Sequence, residues 1–136
     1  MMKKLLILLL PLLFFNCDKE PDVDASTITG QWLLVATLQD PGDGSGKFIP
    51  VNEKRELHFK ADGTLRTYNQ SFCNSIASTK NPVNTYTYSE AANTITVSDC
   101  GIISSTINYE LKDGLLYVYY PQCIEACALK FRKFED

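Results

Sequence analysis

Histidine is nearly absent. The chain has one, His58, set out of phase with Leu57 and Phe59 in an alternating segment, which points it to solvent. Catalysis of the Ser-His-Asp kind needs a histidine supported in a cleft, so no enzymatic activity and no catalytic residues are expected. Basic clusters are scarce as well. The 13 Lys and Arg side chains stand against 16 Asp and Glu, and the nearest approach to a cluster is Lys130, Arg132 and Lys133. That trio reads as the solvated face of a strand, and no nucleic-acid partner is expected. No apolar run is long enough to span a bilayer. The longest, Leu5 to Phe15, would cover about 16 Å as a helix against a hydrocarbon core of about 30 Å. Helical periodicity is missing from everything after it.

What is present at the start is a short positive segment, Met1-Met2-Lys3-Lys4, then the apolar run, then Cys17 followed by Asp18-Lys19-Glu20. Charge, apolar core and cysteine in that order resemble the bacterial lipoprotein signal, in which the cysteine becomes the first residue of the mature chain and carries acyl groups. The resemblance implies a signal peptide over residues 1–16, lipidation of Cys17 and attachment to a membrane through that lipid. The acidic stretch behind the cysteine is similar to the surface-export signals of some Gram-negative lipoproteins, so an outer-membrane or cell-surface location is expected. Residues 17–29, polar and aperiodic until Ile28, read as the lipidated N-terminus and tether. Residues 30–136 read as one domain, expected to be a monomer.

Cys17 apart, Cys73, Cys100, Cys123 and Cys127 remain, an even number in an exported chain, which predicts two disulfides. Four cysteines allow three connectivities. The spacing favours Cys123 with Cys127, which close on each other if the residues between them form a turn, and elimination then leaves Cys73 for Cys100. A four-thiolate zinc site would want two close pairs, and only one exists, so no metal and no cofactor are expected.

The domain reads as short alternating strands separated by turn signals. The first runs from Trp32 to Leu38, with a long excursion from Gln39 to Asn52 behind it. Glu56 to Lys60 and Thr64 to Tyr68 form a hairpin about Asp62-Gly63, Asn84 to Ser89 and Thr94 to Ser98 another about Glu90 to Asn93, and Ser105 to Leu111 and Leu115 to Tyr120 a third about Asp113-Gly114. Asn69 to Val83, which holds Pro82, reads as a loop, and Ala128 to Phe134 closes the chain. Eight strands joined by short connections predict an all-β, antiparallel, up-and-down meander, either a sandwich or a closed barrel; closure removes the edges that an open meander would expose, and the long crossing connections a sandwich wants are scarce, so the barrel is favoured.

Gly30-Gln31-Trp32 at the head of the first strand is similar to the lipocalin signature. That resemblance implies an eight-stranded barrel whose tryptophan packs over the closed end, with a basic residue of the last strand against it, a role that falls to Arg132. From Trp32 to Lys133 the chain also resembles the lipocalin-like lipoproteins of Gram-negative bacteria, through Asp40 to Phe48 and the Cys123-Ile124-Glu125-Ala126-Cys127 turn. Asp40-Pro41-Gly42-Asp43-Gly44-Ser45-Gly46 imitates part of a calcium loop, but with Gly46 sixth, the first position is Pro41, which has no side-chain oxygen, and the twelfth is Asn52. It reads instead as a glycine-rich loop across the barrel mouth. Gly42, Gly44, Gly46 and Phe48, with Tyr86, Tyr88, Tyr117 and Tyr119, are the expected ligand-mouth residues, since tyrosine joins an apolar ring to a polar tip. The expected function is binding of a small lipophilic or amphipathic ligand inside the barrel. The alternative is a non-enzymatic envelope or cell-surface module with a filled barrel, whose partner is an envelope protein.

Overall fold

The computed structural model describes residues 23–73, 78–98, 105–121, 123 and 126–135. The signal peptide, Cys17, the tether before Val23 and Cys100, with it the Cys73–Cys100 pairing, lie outside the described residues. The described chain is all-β and antiparallel. Its strands are β1 (Gly30–Gln39), β2 (Phe48–Pro50), β3 (Glu56–Phe59), β4 (Thr64–Gln70), β5 (Ser78–Ser89), β6 (Thr94–Val97), β7 (Ser105–Lys112), β8 (Leu115–Tyr119) and β9 (Cys127–Phe134).

From β3 to β9 each strand pairs with the next, and β9 returns to pair with β1 from Gln39↔Cys127 to Gln31↔Phe134, which closes an eight-stranded barrel. β2 is the additional strand outside that barrel. On its other edge β1 pairs with β3 through Gly30 to Leu33 and with β2 through Ala36 to Leu38. β2 and β3 are thus two pieces of one interrupted line, separated by residues 51–55. The break is bridged by backbone hydrogen bonds, from Leu34 N–H to the Arg55 carbonyl (2.9 Å) and from Val51 N–H to the Val35 carbonyl (3.0 Å).

The three expected hairpins form where the turn residues stand. Asp113 and Gly114 both take positive φ, 54° and 73°, as a two-residue hairpin matched to strand twist requires. One expectation fails. The segment read as a loop from Asn69 to Val83 holds strand at both ends, with β4 running on to Gln70 and β5 starting at Ser78. Asn69 takes φ 54° and the register slips between Tyr68 and Gln70, so Pro82 falls inside the irregular stretch, between the pairs Gln70↔Ser78 and Tyr68↔Val83. A proline there costs no ladder hydrogen bond, so its presence was a poor argument against a strand.

The alternation of each strand delivers one set of side chains inward. Trp32, Leu57, Leu65, Ile95, Val97, Ile107, Leu116, Val118, Leu129 and Phe131 are all fully buried. Burial of each such side chain contributes about 1.5–3 kcal/mol. Trp32 sits at the end where the chain enters, and its Nε1–H donates to the Ile28 carbonyl at 2.8 Å, which permits complete burial of the indole. The cation over its ring is Lys133, 5.4 Å from the centroid. This corrects the expectation for Arg132, which is exposed on β9. Lys133 is the cross-strand partner of Trp32 and shares its face, whereas Arg132 is the partner of Leu33 on the outer one.

Lys133 Nζ also donates to the carbonyls of Asp24 (2.7 Å) and Thr27 (2.9 Å), tying the incoming chain across this end. Its path runs directly over Gly30, where φ is +128° and an added Cβ would lie 2.6 Å from Lys133 Cε. The first glycine of the Gly-Gln-Trp triplet is therefore a clearance for the lysine. Gly30→Ala is expected to destabilise the fold by about 1–3 kcal/mol through backbone strain and the displaced lysine, measured by urea unfolding. A loss under about 0.5 kcal/mol would mean that Lys133 moves aside freely.

Candidate functional site

The opposite end of the barrel carries the long connections, and its interior is polar. Arg55, in phase with Leu57 and Phe59, points inward and is 3 % exposed. Its Nη1 donates to Gln70 Oε1 at 3.0 Å, and its Nε lies 3.0 Å from Glu53 Oε2 at the half-exposed rim. Gln70 Nε2 donates in turn to Tyr120 Oη (3.0 Å) and the Ser71 carbonyl (3.1 Å). The Gln70 carbonyl accepts from Thr67 Oγ1 (2.6 Å) and Asn84 Nδ2 (3.0 Å), so both ends of the residue are held. Burial raises the Tyr120 phenol well above its ordinary pKa, with the Arg55 guanidinium opposing.

Phe72 closes this end. It follows β4 directly, is 1 % exposed, and packs against the rings of Tyr86 (5.1 Å) and Tyr120 (6.0 Å). Its own N–H donates to Tyr86 Oη at 3.1 Å. Tyr120 N–H donates to the Cys127 carbonyl (3.2 Å), and the expected Cys123–Cys127 disulfide is in place, Cα atoms 6.1 Å apart.

The glycine-rich loop is folded around its own first residue. The Asp40 carboxylate accepts from the backbone N–H groups of Gly42 (2.8 Å), Gly44 (3.1 Å) and Gly46 (3.1 Å). The Gly42 bond foremost lowers the Asp40 pKa, burial opposes it as the next largest effect, and the Gly46 and Gly44 bonds add to the lowering. Oxygens committed to three N–H donors are directed into the loop, so it is a self-capped turn. Asp40 N–H donates to the Ala126 carbonyl at 3.0 Å, which sets the loop beside the disulfide turn.

The residues expected at one mouth lie in three places. Tyr86 is inside the loop end. Tyr88 is at the Trp32 end, its ring 4.9 Å from Phe59 and its hydroxyl donating to the Lys60 carbonyl. Phe48, Tyr117 and Tyr119 lie together on the outer wall. Phe48 meets Tyr117 edge-on at 5.7 Å, Lys130 Nζ stands 4.1 Å over the Phe48 ring, and Tyr119 donates to Glu110 Oε2 at 3.1 Å. The physical reason is strand parity. Tyr117 and Tyr119 alternate with the buried Leu116 and Val118, so they cannot share the interior with them.

His58 also faces outward, as its phase predicts, yet it is not in open solvent. Its Nε2 lies 3.0 Å from Glu56 Oε2, and its ring is bracketed by Tyr68 (4.4 Å) and Phe134 (6.4 Å). Next to this cluster the outer wall is indented. A cavity of about 630 Å³ lies over β1 where β2 and β3 part, lined by Leu33, Val35, Val51, Lys54, Arg132 and Phe134 among others. Among the described residues, no group of three or more His, Cys, Asp or Glu is placed to hold a metal ion.

Comparison with known protein families, curated proteins and solved structures finds no match for this chain.

Sequence reasoning missed Arg55, Gln70 and Phe72. Arg55 carried a signal, since it stands two and four positions before two core residues of the same strand, but a charge at an inward position reads as an error in the alternation unless its partner is foreseen. Here the partner is fifteen residues away, past a hairpin. Arg55→Ala is expected to cost about 1–3 kcal/mol, chiefly by stranding the Gln70 oxygen, because Glu53 regains water when the guanidinium leaves. Chemical denaturation checks this, and a double variant with Gln70→Ala should be less than additive.

Proposed function

We propose that this chain is an exported lipoprotein, held to the envelope membrane by acyl groups on Cys17, whose barrel is a filled scaffold. It works as a non-enzymatic recognition module through its outer surface, with an envelope component as its partner. One observation carries the reading. Side chains pack the described interior from Lys133 and Trp32 at one end, through Leu57, Ile95, Ile107 and Phe131, to Gln70 and Phe72 at the other, and each of the last six is at most 1 % exposed. A carrier that encloses its ligand needs a cavity of about 300–1,000 Å³ in that space. The packing therefore favours recognition from outside over the lipophile-in-barrel alternative.

The anchor rests on the order of charge, apolar run and cysteine in residues 1–17. The first described residues, which cross the Trp32 end under Lys133, bring the chain out at the end away from the long loops. A tether there would leave the loop end and the outer wall free to meet a partner.

Two measurements test the two halves of the proposal. Phe72→Ala should lower stability by about 3–5 kcal/mol if Phe72 belongs to a packed interior. A loss below about 1 kcal/mol, with uptake of a lipophile, would make Phe72 a displaceable plug and restore the carrier. Separately, Cys17→Ser should abolish incorporation of labelled palmitate and release the protein from the membrane fraction. Unchanged membrane retention without label would remove the lipid anchor from the reading.

A further inference from the structure

We propose that the indentation on the outer wall over β1 holds an acyl chain of Cys17, from the same molecule, when that chain is out of the membrane. This rests on the reading of Cys17 as lipidated and gives the lipid a second seat, on the protein itself. The floor is apolar, made by Leu33, Val35 and Val51 with Phe134 as one wall, and each of these side chains is left partly exposed. The cavity of about 630 Å³ is of a size that takes one small ligand. β1 has no free edge here, because Leu34 N–H and the Val35 carbonyl are spent on Arg55 and Val51. An extended peptide therefore has no strand to join.

Charge does not choose the occupant. The lining holds Glu53 and Glu56 against Lys54 and Arg132. Glu53 is engaged by Arg55 and Glu56 by His58, each at 3.0 Å, Arg132 has a partner too, and Lys54 is exposed to water. A balanced rim leaves the apolar floor as what the indentation offers, and an uncharged hydrocarbon chain is what gains by covering it.

Position supplies that chain. Lys133, between Arg132 and Phe134 on β9, ties down Asp24 and Thr27 where the chain enters. A second recess of about 420 Å³, lined by Asp24, Thr27, Gln31 and Lys133 among others, shares Phe134 with the indentation, so the two adjoin at that ring. Cys17 stands six residues before Val23, a reach of about 20 Å when extended, and the acyl chain adds its own length. A single chain holds a bilayer only marginally, so seating one on the wall loosens the anchor, and returning it to the bilayer tightens the anchor and uncovers the wall for a partner.

The test uses the mature lipoprotein labelled in cells with a diazirine analogue of palmitate, purified, freed of detergent and irradiated, with adducts mapped by peptide mass spectrometry. Adducts are expected within one molecule, from the Cys17 peptide to the peptides carrying Val51 and Phe134, in a yield independent of protein concentration. Vesicles of phosphatidylethanolamine and phosphatidylglycerol should move the adducts to phospholipid. Leu33→Asp and Val51→Asp, at partly exposed positions, should each cut the yield within one molecule about tenfold, with the fluorescence of the buried Trp32 showing that the barrel is intact. Adducts between molecules, spread over the whole surface or unmoved by both variants would overturn the proposal and leave the anchor standing. Absence of label from Cys17 would overturn the anchor and the proposal together. Adducts on peptides carrying Phe72 or Ile107 would overturn this seat and the filled barrel with it.

Discussion

Closure of β1 against β9 is the constraint on which the rest of the structure depends. β1 is shared by three partners, with β9 along one edge and β3 and β2 in succession along the other. A strand paired on both edges over most of its length cannot shift by one residue without turning Trp32 and Leu34 out of the core, so the register of the sheet is held from here. The slip between Leu34 and Ala36 against β9 is the local adjustment. Opposite it, on the other edge, the line of β2 and β3 breaks. The irregularity of one edge and the gap of the other are thus one event, and the indentation of the outer wall lies over it.

The interior is divided along its length. At the Trp32 end the indole and Lys133 are answered by nearby backbone, the indole on Ile28 and Lys133 on Asp24 and Thr27. At the loop end the groups answer one another, Arg55 to Gln70 to Tyr120. A buried cation is costly unless it is paired, and here the rim carboxylate of Glu53 lies 3.0 Å from Nε while the Gln70 amide oxygen accepts from Nη1. The polar half specifies how the segment after β4 must lie, because Gln70 is held at both its backbone and its side chain, and that placement drives Phe72 into the barrel end. Packing and polarity act together there, the ring excluding the water that would otherwise compete for the network.

The strand pattern was legible in the sequence because it depends on near neighbours. Leu57 with Phe59, Ile95 with Val97 and Leu116 with Val118 announce an inward face two residues at a time, and Asp62-Gly63 and Asp113-Gly114 announce the turns between. Cys123 and Cys127 announce their bond for the same reason. Where the deciding contact is distant, the reading went astray. Arg132 and Lys133 cannot be told apart without the register of β9 on β1, and one step of register exchanges the inner residue for the outer. The strand hidden around Pro82 depends on a bulge at Asn69 that the local composition does not reveal. Of the eight residues expected at one mouth, Phe48, Tyr117 and Tyr119 lie together on the outer wall, a grouping that depends on where β2 lies against β1 and β9.

A small barrel that spends its interior on its own side chains gains stability and gives up enclosure. Under the proposed function, recognition needs a feature of the wall, and an unbroken β-wall offers little besides an alternation of shallow polar and apolar side chains. The break between β2 and β3 supplies relief without opening an edge, since the bonds from Leu34 to Arg55 and from Val51 to Val35 seal the backbone across it. Arg55 serves both sides of the wall. Its guanidinium closes the polar network within, its contact with Glu53 tempers a carboxylate at the indentation without, and its carbonyl carries the seal between them. The same residue therefore belongs both to the interior network and to the outer surface that the proposed function makes the recognising one.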